Sequence, residues 1–158
     1  MVTGNRADAL ARLDVFAGEW PVEARFPGGQ PVPSDTGGPL VRSRFEWMLG
    51  RRFLLQRTEI PVAEAPDSLS IISVDLKTGA YTQHYYDSRG VARLYAMSLP
   101  EGVWTLTRES PDFTPLEFRQ RFTGTFSEDR NTINGTWEIG RDGAGGEHDF
   151  ALTYRRIG

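Results

Sequence analysis

The chain has no cysteine and only two histidines among its 158 residues. Without thiols there are no disulfides, thiolate metal sites, iron–sulfur clusters or cysteine nucleophile, so any metal chemistry rests on His84, His148 and carboxylates. No apolar run approaches the length of a membrane-spanning helix. The opening residues Met1-Val2-Thr3-Gly4-Asn5-Arg6 lack the apolar stretch of a secretory signal, so the expected compartment is the cytoplasm. Lysine is nearly absent, with Lys77 standing beside seventeen arginines. Those arginines are scattered among carboxylates and the net charge is −3, which gives no bulk attraction to nucleic acid. Gly-x-Ser-x-Gly, Ser-x-x-Lys, His-Glu-x-x-His and phosphate-cradling glycine patterns are also missing, so no hydrolase or nucleotide enzyme is signalled.

What is present is a long succession of β signals. Residues from about Arg6 to Ala17 put Leu10, Leu13 and Phe16 on one stripe beside Ala9 and Ala17, which predicts a short helix with Asn5 as N-cap and Gly18 as its stop. Ten strands are then expected, at Trp20–Phe26, Val41–Met48, Phe53–Ile60, Leu69–Asp75, Ala80–Asp87, Val91–Leu99, Val103–Glu109, Leu116–Phe126, Thr132–Gly140 and His148–Arg156. Tight-turn residues separate most of them: Gly50-Arg51, Lys77-Thr78-Gly79, Ser88-Arg89-Gly90, Glu101-Gly102, Glu128 to Asn131, and Gly140 to Gly146. Short turns force antiparallel neighbours. The glycine- and proline-rich stretch Pro27–Pro39 is the longest irregular segment and reads as a loop suited to covering a barrel opening.

A two-layer sandwich usually needs long crossovers, whereas hairpin after hairpin can remove its sheet edges by closing on itself. The expected fold is therefore all-β: one domain over 1–158, an up-and-down antiparallel barrel of about ten strands with a short N-terminal helix. About ten strands enclose a space wider than side chains alone fill, and eight-stranded barrels already hold a small ligand. In the eighth strand Phe118, Gln120 and Phe122 alternate with Glu117, Arg119 and Arg121, so one face is enclosed and the other wet. In the fifth strand both Tyr81/Gln83/Tyr85 and Thr82/His84/Tyr86 are plausible inner faces.

Gly18-x-Trp20 with an arginine at the end of the last strand, Arg155 or Arg156, resembles the closing signature of the calycin superfamily, the lipocalins and fatty-acid-binding proteins. In that superfamily the tryptophan plugs one barrel end and the arginine stacks on it. The runs Phe45-Glu46-Trp47-Met48-Leu49-Gly50, Tyr81 to Gly90, Phe122-Thr123-Gly124, Thr136-Trp137-Glu138 and Glu147-His148-Asp149-Phe150 resemble an uncharacterised bacterial family of lipocalin-like proteins, related in architecture to nitrobindins. The nitrobindin likeness implies ferric haem as a cofactor, with His148 on the last strand as axial ligand. Nitrobindins carry repeated glycines after the tryptophan, however, where this chain has Val22, Ala24 and Phe26.

These residues support three functions. The first is binding of a small, mostly hydrophobic molecule, with Phe45, Trp47, Tyr85, Phe118 and Phe122 as candidate walls and Gln120, His148 and His84 as candidate polar anchors. An unpaired buried amide costs about 1–3 kcal/mol, so Gln120 between two phenylalanines calls for water, a polar partner or a ligand. The second is haem binding through His148, with reactive nitrogen species as the implied chemistry. The third is a barrel isomerase or cyclase using His148 with a carboxylate, or His84 with Tyr86, as an acid–base pair. The expected assembly is a monomer or a homodimer.

Overall fold

The structure is a computed structural model that describes residues 3–25, 41–59, 67–110, 112, 118–140 and 147–157, with the backbone alone at 3–6, 147 and 148. Helix α1 runs over Thr3–Arg12 and passes into a 3-10 turn, Leu13–Phe16. The ten strands are β1 Gly18–Arg25, β2 Val41–Met48, β3 Phe53–Glu59, β4 Ser68–Val74, β5 Tyr81–Asp87, β6 Ala92–Ser98, β7 Val103–Arg108, β8 Arg119–Phe126, β9 Thr132–Gly140 and β10 Glu147–Arg155. Each pairs antiparallel with its sequence neighbour, and β1 also pairs with β10, in register Val22↔Tyr154 and Ala24↔Leu152. The sheet is thus a closed barrel with no free edge.

Two expectations at the N-terminus need correction. The helix starts at Thr3, so Asn5 lies inside its first turn and is not the residue ahead of it. Its last turn is 3-10, for a reason legible in the packing. At three residues per turn, positions i and i+3 eclipse, and Leu13 and Phe16 are both wholly buried. The loop expected at Pro27–Pro39 with its covering role, Phe26, Ile60, Leu116, Glu117 and the turn residues after Gly140 lie outside the described residues.

Turn chemistry explains the short connections. Glu101 and Gly102, with φ of 46° and 79°, form the positive-φ pair of a tight hairpin turn between β6 and β7. Asp75 accepts from the backbone N–H groups of Lys77 and Thr78 and closes the β4–β5 turn.

The core fills the end of the barrel nearest α1. Phe16 enters that end, its ring stacked on Phe45 at 5.0 Å and meeting Trp104 edge-on at 4.9 Å and Phe126 at 5.4 Å. Trp20 Nε1 donates to the Phe16 carbonyl at 2.8 Å, and the Arg156 guanidinium lies 4.3 Å from the Trp20 ring centroid. Arg156 also donates to the carbonyls of Val15, Ala17 and Arg130 and to Asn131 Oδ1. Arg156 is therefore the stacking arginine, while Arg155 pairs with Glu23 at 3.4 Å on the surface. On the far side of this plug, Gly124 and Gly135 are register partners. The Phe122 ring occupies the space that side chains at these two positions would need.

Candidate binding site

Above the plug the barrel is hollow. A cavity of about 580 Å³ occupies its other half, and every strand contributes to the wall, from Val22 and Ala24 of β1 to Phe150, Leu152 and Tyr154 of β10. Ligand pockets commonly span about 300–1,000 Å³.

The wall has two chemically different sides. On β9, β10 and β1 it is apolar, presenting Trp137, Phe150, Leu152, Val22 and Ala24. Trp137 stacks with Phe150 at 6.4 Å and tilts against Phe122 at 5.1 Å. On β3 to β6 it is polar but largely uncharged, presenting Gln56, Thr58, Ser70, Gln83, Tyr85 and Tyr95. These groups form a chain of hydrogen bonds. Gln56 Nε2 donates to Ser43 Oγ at 2.9 Å, Ser43 and Thr58 share a hydroxyl contact at 3.1 Å, and Gln83 Nε2 reaches Gln56 Oε1 at 3.5 Å.

Nearer the rim, Tyr95 OH donates to Gln120 Oε1 at 3.1 Å, and Arg93 Nη1 reaches the same oxygen at 3.5 Å. Tyr85 OH donates to Asp87 Oδ2 at 2.8 Å, and Asp87 is paired with Arg89 at 2.7 Å. Burial pushes the Tyr85, Tyr95 and Tyr154 hydroxyls above the ordinary tyrosine value, so all three are protonated donors at neutral pH. Burial alone would raise the Asp87 carboxyl. The hydrogen bonds from Arg89 and Tyr85 outweigh it and hold the group down to about 2. Beside the cavity, Arg108 makes a two-pronged pair with Asp112 at 2.8 and 3.0 Å, both side chains almost wholly buried.

Of the residues singled out from sequence, Tyr85, Phe118, Gln120 and Phe122 line this cavity. Phe45 and Trp47 do not. Phe45 belongs to the plug, and Trp47 donates its indole N–H to Asp14 at 2.9 Å while Arg51 sits over its ring at 4.7 Å. The fifth strand resolves in favour of Tyr81, Gln83 and Tyr85 as the inward set. Tyr81 and Gln83 are buried and Tyr85 lines the cavity, so His84 and Tyr86 stand on the outer face. That placement separates the His84–Tyr86 pair from the interior. The His148 backbone pairs with Glu138, with a register shift before Phe150, and its side chain lies outside the described residues.

The histidine expected to hold haem, His148, has its side chain outside the described residues, and the described lining groups that could ligate an iron include three tyrosines. Tyrosinate ligation needs a lost proton, and burial opposes that at all three lining tyrosines. The other polar lining groups are amides, hydroxyls, guanidinium groups and the carboxylate of Asp149. Among the described residues no group of three or more His, Asp or Glu side chains converges to hold a metal ion.

The chain aligns with the crystal structure of Rv2717c from M. tuberculosis at a TM-score of 0.59, covering 95% of this chain and 98% of that one. The two share a fold. Their sequence identity is 17%, so the likeness stops at the ten-stranded barrel. No protein-family model matches the chain, and no curated protein matches it. Among the described residues no helix is long and apolar enough to cross a membrane.

Sequence reasoning passed over Gln56, Ser70, Arg93 and Tyr95 as site residues. The signal was strand phase. Alternation that puts Leu54 and Ile72 in the core also turns Gln56 and Ser70, two residues away, to the same side.

Proposed function

We propose that this protein binds a small, mostly apolar molecule inside the barrel. The observation that carries the reading is the cavity of about 580 Å³, open above a plugged end and walled by aromatic and aliphatic side chains on one side. A ligand burying roughly 200–300 Å² of apolar surface gains about 5–8 kcal/mol before the costs of association, enough for micromolar affinity at best. The ring cluster of Tyr85, Tyr95, Trp137 and Phe150 favours a flat or aromatic body, since offset and edge-on ring contacts add to simple burial.

The test is titration with Nile red, an uncharged fluorophore that brightens in apolar surroundings. Wild type is expected to show one saturable site. Ala24→Trp, which places an indole in the cavity, is expected to weaken binding at least about tenfold through steric exclusion. Unsaturable fluorescence in wild type, or equal binding by a folded Ala24→Trp variant, overturns the reading.

A further inference from the structure

The cavity is a poor match for a purely apolar guest, because its wall holds hydrogen-bonding atoms that the protein does not satisfy. Gln83 is 4% exposed and Trp104 1% exposed, and both line the cavity from strands on either side of β6. Gln83 Oε1 and Trp104 Nε1 are buried without a protein partner, as is Arg93 Nε nearer the rim. Folded proteins leave few buried polar atoms unpaired, so two on nearly inaccessible side chains of residues that line one cavity call for a ligand's polar atoms.

Building on the binding reading above, we propose that the ligand is an uncharged alcohol or amide, its polar group deep in the cavity and hydrogen-bonded to Gln83 and Trp104. The donor–acceptor inventory selects this class. The indole N–H needs an acceptor and the amide oxygen needs a donor. A carboxylate only accepts, so it leaves Gln83 unmet, and an ammonium group only donates, so it leaves Trp104 unmet. A hydroxyl does both, and it serves either orientation of the Gln83 amide.

The surroundings agree. The other lining groups around these two residues are Gln56, Ser70, Tyr95, Leu106, Phe122 and Tyr154, none of them charged at neutral pH. The charges in the described wall are Arg89, already paired with Asp87, together with Arg93 and Asp149. Arg93 reaches toward Gln120 and so offers its charge at the rim, away from the unsatisfied amide. An anionic head group would therefore settle beside Arg93, and a neutral one beside Gln83 and Trp104.

Three probes of equal shape separate these cases: naphthalenemethanol, methylnaphthalene and naphthoate, substituted at the same ring carbon and measured by displacement of Nile red. The alcohol is expected to bind about tenfold more tightly than the hydrocarbon, the gain typical of one or two net hydrogen bonds, and more tightly than the carboxylate. Gln83→Met and Trp104→Phe should each shrink the alcohol's advantage over the hydrocarbon about threefold or more. Thermal melts check whether both variants fold, and Gln83→Met carries the test alone if Trp104→Phe does not.

Equal affinity for alcohol and hydrocarbon overturns the proposal. So does a preference for the carboxylate that disappears in Arg93→Gln. If Nile red binds at a saturable site yet the alcohol has no advantage, the polar assignment fails while the cavity reading stands. If Nile red does not bind saturably, both fail.

Discussion

Asp87 illustrates how a single side chain ties the barrel rim together. It accepts the Tyr85 hydroxyl and the backbone N–H of Arg89 and pairs with the Arg89 guanidinium, while its own side chain is fully enclosed. Folded, its carboxyl titrates near 2 against an ordinary value of 3.8, so the folded state favours the charged form. The stabilisation is fully present above pH ~4 and is lost as pH falls through ~2, because between the two values the unfolded chain binds a proton that the folded carboxylate does not, and below both the two states are equally protonated. Arg89 is more than half exposed. After discounting for solvent screening the contribution is on the order of 1–2 kcal/mol. Asp87→Asn keeps an acceptor for Tyr85 but removes the charge. It is expected to be destabilised by that amount in urea unfolding at pH 7 and to match wild type near pH 2. A gap that persists undiminished at low pH would mean that the side chain acts through packing and not through its ionisation. Tyr85 was legible in the sequence as a site residue, but Asp87, whose first role is to end the expected fifth strand before the Ser88-Arg89-Gly90 turn, was not. Its second role arises because the turn brings Arg89 back onto it, a contact that turn propensity does not specify.

Among the elements, the strands were the most legible. Period-two alternation bounded by glycine and aspartate turns located all ten to within a few residues, because each strand has one enclosed and one wet face. The helix end was less so. Its stripe was visible, but the switch to a 3-10 turn is imposed by fitting Phe16 into a ring of Phe45, Trp104 and Phe126 contributed by three strands. The choice between Arg155 and Arg156 was likewise open, since adjacent residues at a strand end point to opposite sides and only closure shows which meets Trp20. Arg156 fastens the 3-10 turn, β1 and the β8–β9 turn through fork-shaped donation to several acceptors, which an ammonium group cannot reproduce. Arg156→Lys is expected to cost about 2–4 kcal/mol, from lost charged hydrogen bonds to carbonyls and a weakened ring contact. Arg155→Lys, which changes one exposed pair, should stay within about 0.5 kcal/mol of wild type. Comparable losses in the two variants, measured by equilibrium unfolding, would remove Arg156 as the fastening of the closed end.

For the whole molecule, closure is what makes the cavity, because all ten strands supply lining residues. No hairpin or half-barrel presents both the apolar side of β9, β10 and β1 and the polar side of β3 to β6, so a ligand that needs both binds only the closed state. Its binding energy then couples to global unfolding and not to local fraying of one edge. At a free ligand concentration one hundred times Kd the stabilisation is about 2.7 kcal/mol. For a chain of 158 residues this corresponds to a rise in Tm of about 5–10 °C. Naphthalenemethanol is expected to produce that shift in wild type, with a single transition before and after addition, and a rise of about half that or less in Ala24→Trp. Had the chain formed two stacked layers with the guest between loops, a ligand would protect those loops first and split the transition. A split melt on ligand addition, or an equal rise in the blocked variant, would mean that the guest sits elsewhere than within the closed barrel.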